Sequence, residues 1–246
     1  MLIGTQCLSD AGIEPTVYDF RSWVTDLSDF DDPAFYGDCW AEVYDELHAW
    51  LEPTAAVEFL ARLAGSGRVL ELGIGTGRVA LPLSQRGIAV EGLDASQAMV
   101  NRLRAKPGGQ AIPVTIGDMA QVPVAGQFQL VYLVFNSLFA LLSQARQIRC
   151  FRNVARALEP GGVFVIECFV PGQARSDQDQ RVTTQIVTLD EHGVHLRPVT
   201  LLHAWPGELD LMAAHAGLQL SERYADWTRR PFGPESDGHV SVYQRI

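Results

Sequence analysis

Three glycines at every second position, Gly73, Gly75 and Gly77, follow the apolar run VLEL and precede a stretch of helical composition. Glycine admits positive φ and lets a ligand approach without meeting a Cβ, so the turn suits a nucleoside. One strand further on, Asp94 closes the run IAVEGLD, with Ala95 behind it. A carboxylate there is placed to accept hydrogen bonds from a ribose diol. A tight turn and a helix-capping aspartate before Ser96 would use the same residues structurally, but the strand, turn, helix and acid stand in the order a nucleoside site requires. The dinucleotide pattern GxGxxG is the competing frame. Counted from Gly73, its third glycine falls on Arg78; counted from Gly75, it falls on Ala80, which that position tolerates. The second frame keeps an NAD(P)-dependent oxidoreductase open.

The elements that must hold these residues alternate. Short apolar runs at 68–72, 88–94, 112–116, 128–134 and 163–170 are interspersed with helical patterns at 77–86, 96–104 and 144–158. Such alternation predicts an α/β protein with a parallel sheet and helices on both faces. Two helices precede the first strand: one over 33–51, with Phe35, Trp40, Val43, Leu47 and Leu51 at helical spacing, and one over 54–64 beyond Pro53. Residues 130–142 predict a buried strand running into a helix, too short to span a membrane, which takes about 20 residues. Pro160, Gly161 and Gly162 break the chain before 163–170. Residues 172–180 read as a loop and 185–189 with 194–199 as a hairpin. A helix opened by Pro206 over 206–216 and strands at 218–224 and 239–243 complete the chain, expected as one domain over 1–246.

Acidic residues outnumber basic ones 29 to 19, for a net charge of −10, and no Lys/Arg cluster offsets them. A nucleic-acid partner needs a basic stripe, and an anionic membrane surface is disfavoured for the same reason. The acidic stretch 26–38 reads as a solvated face. Cys7, Cys39, Cys150 and Cys168 form no CxxC pair, which argues against a zinc site or redox dithiol and for a reducing cytoplasm. The N-terminal MLIGTQCLSDAGIEP lacks a basic region and carries Asp10 and Glu14, unlike a signal peptide.

Taken in order, VLELGIGTGRVALPL, GLDASQAMV, IGDMAQVPV and the PGG turn at Pro160 resemble the class I S-adenosylmethionine-dependent methyltransferases, in particular the small-molecule enzymes of bacterial secondary metabolism. The resemblance covers residues 44–170 and weakens beyond them. It implies a Rossmann-like fold, a seven-stranded mostly parallel sheet with one antiparallel strand near an edge, and S-adenosylmethionine as cofactor, leaving as S-adenosylhomocysteine. By this resemblance Glu71, Gly73, Gly75 and Gly77 shape the pocket for the methionine part, while Asp94 and Ala95 hold the ribose. Asp118 and Met119 frame the adenine, the Asp118 carboxylate accepting from its exocyclic amine. Phe135, Asn136 and Ser137 face both cofactor and acceptor. Tyr44 and Asp45 resemble the Tyr-Asp pair on an N-terminal helical segment, here 1–66, that folds over the cofactor. Tyr18 and Asp19 repeat the dipeptide, so either pair fits. The Asn-Pro-Pro-Tyr type motif of nucleic-acid amino-methyltransferases is missing from this sequence, in agreement with the charge.

A sulfonium methyl is already activated, so transfer needs in-line placement of the acceptor and a dry pocket. A hydroxyl acceptor would also profit from a base near neutrality, for which histidine is suited. His48, one helical turn after Tyr44, is the first candidate, and Asn136 the second catalytic candidate; His203 and His239 are alternatives. Trp40, Trp205, Phe135 and Phe139 are candidates for an apolar acceptor pocket, with 171–246 on the acceptor side. The expected protein is a monomer or homodimer acting on a small molecule, the methylated atom being oxygen, nitrogen, sulfur or carbon. Two alternatives are the oxidoreductase and a non-catalytic S-adenosylmethionine-binding module.

Overall fold

The computed structural model describes residues 30–172, 180–190 and 193–246. The Tyr18–Asp19 pair, Cys7, the N-terminal leader, most of the loop at 172–180 and the hairpin tip lie outside the described residues. Nine strands occur among the described residues: β1 (Val69–Leu72), β2 (Val90–Asp94), β3 (Val114–Ile116), β4 (Phe128–Leu133), β5 (Leu158–Phe169), β6 (Arg181–Asp190), β7 (Gly193–Leu202), β8 (Leu218–Tyr224) and β9 (Gly238–Arg245). The helices are α1 (Phe35–Trp40), α2 (Tyr44–Leu47), α3 (Thr54–Ala64), α4 (Ala80–Gln85), α5 (Gln97–Ala105), α6 (Gln144–Ala157) and α7 (Pro206–His215).

Seven strands form one sheet in the order β3-β2-β1-β4-β5-β9-β8, while β6 and β7 make a separate ribbon. β1 to β5 pair in parallel, and β9 runs antiparallel between β5 and β8. This is the Rossmann-like sheet with one reversed strand beside its edge. Successive strand residues point to opposite faces, and the core divides accordingly. Leu70, Leu72, Val131, Leu133 and Phe164 pack under α6 and α7, against Phe151, Val154, Leu209 and Met212. Val69, Leu130, Tyr132, Val165 and Val242 pack under α3 to α5, against Phe59, Leu60, Leu83 and Leu103. The chain winds outward from β1 to β3 in one direction and from β4 to β5 in the other. The strand order therefore reverses between β1 and β4, and their carboxyl ends leave the crevice where such sheets bind ligands.

Several expected elements are redrawn. The helix expected over 33–51 is two short ones. After Trp40 the bonding tightens to Val43 N on the Trp40 carbonyl at 3.1 Å before α2 begins; within α2 the Tyr44 carbonyl accepts from both His48 N at 3.0 Å and His48 Nδ1 at 2.9 Å. The strand in 130–142 does not run into an α-helix: after β4, Phe135 and Asn136 turn left-handed and only a single 3₁₀ turn, Ser137–Ala140, follows. Pro160, Gly161 and Gly162 do not end a segment but bulge from β5, where the register goes from Phe128↔Leu158 to Leu130↔Val163. The hairpin is longer than expected, paired from Arg181↔Leu202 to Asp190↔Gly193, and α4 starts at Ala80 rather than Gly77.

Candidate active site

A cavity of about 320 Å³ sits at the strand-order reversal, bounded by the glycine turn, the ends of β2 and β4, the α1–α2 segment and the ribbon β6–β7. Gly73 and Gly75 line it with φ of 68° and 54°. A Cβ on Gly75 would meet nothing nearer than 4.0 Å, so its backbone faces open space. Gly77 and Glu71 do not line the wall. A Cβ on Gly77 would collide with Leu103, which makes that glycine a packing requirement of α5. Glu71 is buried on the α3–α5 side and accepts from the Tyr132 hydroxyl at 2.8 Å. Burial pushes its carboxyl up to about 8, so it holds a proton near neutrality and serves the core beneath the turn.

Asp94, at the end of β2, lines the cavity with Ala95. Its Oδ2 accepts from Gly75 N at 2.7 Å and its Oδ1 from Ser96 N at 2.8 Å. Burial raises its pKa, opposed by these backbone donors. The carboxylate thus fixes the glycine turn as well as facing the cavity. Ser96 caps α5, accepting from Met99 N at 3.1 Å, and donates to Asp38 Oδ1 of α1 at 2.6 Å. Gly37 makes this approach possible, since a Cβ there would collide with Ser96. On α2, Asp45 accepts from Thr76 Oγ1 at 2.5 Å and pairs with Lys106 at 2.7 Å. Two carboxylates, Asp38 and Asp45, therefore tie the covering helices to the loops after β2 and β1.

Asp118 and Met119 line the same cavity beyond β3. Asp118 Oδ1 accepts from Ala120 N at 2.8 Å and Oδ2 pairs with Arg146 at 3.1 Å, a cation the sequence did not reveal as a partner. Tyr44, His48, Phe135 and Asn136 all reach the cavity. His48 stacks tilted on Tyr44 at 4.4 Å, lies 5.8 Å from Trp40 and meets Phe135 edge-on at 5.3 Å. A carbonyl oxygen can only accept, so the contact with Tyr44 O assigns the proton to Nδ1 and leaves Nε2 with its lone pair in the neutral ring. Tyr36 and Trp40 of α1 complete an aromatic wall. Burial raises the Tyr36 hydroxyl above the usual phenol range, keeping it neutral.

Phe135 and Asn136 carry φ of 53° and 64°, a conformation that costs non-glycine residues about 1–3 kcal/mol each. Their amides are held by one residue of β5. Phe135 N donates to Glu167 Oε2 at 2.7 Å and Asn136 N to the Glu167 carbonyl at 3.1 Å. Asn136 Oδ1 accepts from Phe169 N at 2.6 Å, so the side chain secures its own turn.

Of the other candidates, Trp40 lines the cavity as expected, but Phe139 lies in the core against Phe169 and Trp205 is a half-exposed residue before α7. His203 and His239 are buried away from the cavity. His239 contacts Ser241 Oγ at 2.8 Å, and burial lowers it to about 4. Tyr36, Arg146, Glu167 and the ribbon residues Ile186, Val199 and Thr200 were not singled out from sequence. Tyr36 sits on a short helix, Arg146 at the start of α6, Glu167 behind the wall and the others on the ribbon, all without a motif.

Comparison with known proteins decides between the two glycine frames. Residues 69–162 match a family model described as a methyltransferase domain. The solved CcbJ methyltransferase from Streptomyces caelestis is 38% identical, with a TM-score of 0.78, over 86% of this chain and 98% of that one. The chain belongs to the class I S-adenosylmethionine-dependent methyltransferases. A cypemycin N-terminal methyltransferase from a Streptomyces species is 27% identical over 87% of this chain and 99% of its own. The glycopeptide N-methyltransferase MtfA, solved with S-adenosylmethionine, is 18% identical with a TM-score of 0.62 over 78% of this chain and 87% of that one, and shares the fold. This methyltransferase thus uses S-adenosylmethionine, and its glycine turn follows the methyltransferase frame rather than the dinucleotide one. Among the described residues no helix is long and apolar enough to cross a membrane.

Proposed function

We propose that this methyltransferase N-methylates an amine on a small-molecule or peptide acceptor, with His48 receiving the amine proton. The arrangement of His48 carries the reading: Nδ1 is anchored on Tyr44 O, and the ring faces the cavity among Tyr44, Trp40 and Phe135. The relatives named for N-terminal and glycopeptide N-methylation support an amine. So does the charge of −10, since an acidic protein attracts cationic amines.

The residues present fit the cofactor. Gly75 leaves open backbone toward the cavity, Gly73 lines it beside Ser137, and Asp94 presents a carboxylate to it. Asp94 and Ala95 would hold the ribose, Gly73 and Gly75 the methionine part, Asp118 and Met119 the adenine, and Tyr44 and Phe135 the sulfonium region. Bound there, S-adenosylmethionine would supply an activated methyl group to the acceptor nitrogen, the C–S electron pair staying on sulfur as the N–C bond forms. The aromatic wall of Tyr36, Trp40, Tyr44 and Phe135 excludes water and favours positive charge over its ring faces. His48 Nε2 would take the proton of the cationic amine before transfer, freeing the lone pair that attacks, and return it to solvent. Asn136 acts by shaping the turn beside Phe135. We place the enzyme in the cytoplasm as a monomer or homodimer, with neither nucleic acid nor membrane as partner.

The test is a panel of primary and secondary amines, each paired with a phenol of matched shape, incubated with methyl-labelled S-adenosylmethionine. The label appears on nitrogen in the amine members. Label confined to phenolic oxygen overturns the amine assignment.

A further inference from the structure

Glu167 stands in no motif and does not line the cavity, yet both of its carboxylate oxygens and its carbonyl are committed. Oε2 accepts from Phe135 N at 2.7 Å, Oε1 accepts from Trp227 Nε1 at 2.7 Å, and the carbonyl accepts from Asn136 N at 3.1 Å. Trp227 is itself fixed, its ring 5.5 Å from Phe59 of α3 in an edge contact. The residues so gripped are two consecutive non-glycine residues in the left-handed region, at φ of 53° and 64°. They form the cavity wall after β4, and Phe135 touches the His48 ring. Left-handed backbone in such residues persists only where its surroundings over-determine it, and it clusters where a site needs a fixed shape. A core contact alone would not require the carboxylate. A carboxylate with two oxygens accepts both the backbone amide and the indole N–H, whereas an amide side chain has a single acceptor oxygen.

We propose that Glu167 is a positioning residue: with Trp227 as its buttress, it holds the Phe135–Asn136 turn left-handed and so fixes the wall shared by cofactor and acceptor. The inference rests on the assignment of this cavity as the cofactor site. Its consequence is specific. Glycine adopts positive φ without strain, so the brace matters only while residue 135 carries a side chain.

Calorimetric titration with S-adenosylhomocysteine, which needs no acceptor, tests this on the wild type, Glu167→Gln, Phe135→Gly and the double variant, with thermal unfolding of each unliganded protein as control. Glu167→Gln is expected to weaken binding about tenfold, and hydrogen exchange across the turn after β4 to speed up. With Phe135→Gly in place, adding Glu167→Gln is expected to change affinity by less than about twofold, the non-additivity of residues acting through one another. Affinity unchanged in a folded Glu167→Gln, or fully additive losses in the double variant, overturns the brace. A merely structural role would lower the melting temperature and leave affinity alone. If Glu167→Gln does not fold, Trp227→Phe, which removes the buttress and leaves the carboxylate, is read on the same scale: weakened binding supports the proposal and unchanged binding overturns it. A wild type that fails to bind S-adenosylhomocysteine would instead remove the cofactor-site assignment beneath it.

Discussion

Asp94 illustrates how one carboxylate serves two purposes. As a ribose acceptor alone, Asp94 would matter only to cofactor affinity. The structure adds that it ties Gly75 N and Ser96 N together, so Asp94→Ala releases the glycine turn as well. Charge-assisted hydrogen bonds contribute about 1.5–3 kcal/mol each. The variant is therefore expected to bind S-adenosylhomocysteine at least about tenfold more weakly, by calorimetry, and to melt at a lower temperature. His48 belongs to the same scale. General-base contributions run to about 10²–10⁴-fold, so His48→Ala is expected to slow methylation of a responsive amine by about that range in a steady-state assay, with S-adenosylhomocysteine affinity nearly unchanged. Equal losses in both would place the imidazole in cofactor binding instead. The glycines, Asp94 and Asp118 were legible in the sequence because they must follow particular strand ends. Glu167 was not, because its partners come from the turn after β4 and from Trp227, which only the folded sheet brings together.

At the level of elements, the covering pair α1 and α2 depends on very few polar ties. Asp38 to Ser96 secures one helix, and Asp45 to Thr76 and Lys106 the other. Neither helix is long enough to be stable by itself. Asp45 is half-exposed, so its ion pair with Lys106 contributes little and the hydroxyl bond to buried Thr76 the larger part. Asp45→Ala is therefore expected to raise the rate of S-adenosylhomocysteine release about two- to tenfold, the range of one ordinary hydrogen bond of about 0.5–1.5 kcal/mol, as read by stopped-flow tryptophan fluorescence. An unchanged release rate would mean that this helix does not gate the cavity. The helical spacing of Phe35, Trp40, Val43 and Leu47 revealed an apolar face but not the break after Trp40. There Val43 N bonds the Trp40 carbonyl three residues back, a tightened turn that periodicity does not encode.

Across the whole molecule, a parallel α/β sheet was legible because β-α alternation admits few topologies, while the reversed strand beside its edge followed from the family resemblance. The length of the β6–β7 ribbon was not, since half of its residues alternate without a strong apolar face. Stability also carries a signature of the buried acid beneath the turn. Glu71 has a folded pKa of about 8, above its ordinary value of 4.5. The folded state therefore binds the proton more tightly than the unfolded chain. Its stabilising contribution is complete below the lower value and is lost as pH rises toward the higher one. The melting temperature of the wild type relative to Glu71→Gln is expected to fall across that window and level off above it. A difference independent of pH would mean that Glu71 is ionised in the fold.

A structure determined with S-adenosylhomocysteine bound tests the central claim, that the cavity at the strand-order reversal is the methyl-transfer site. The account predicts the ribose hydroxyls on the Asp94 carboxylate at hydrogen-bond distance, about 2.5–3.0 Å, the adenine beside Asp118 and Met119, and the sulfur facing the aromatic wall that holds His48. A ligand seated outside this cavity, or with its ribose away from Asp94, would contradict it.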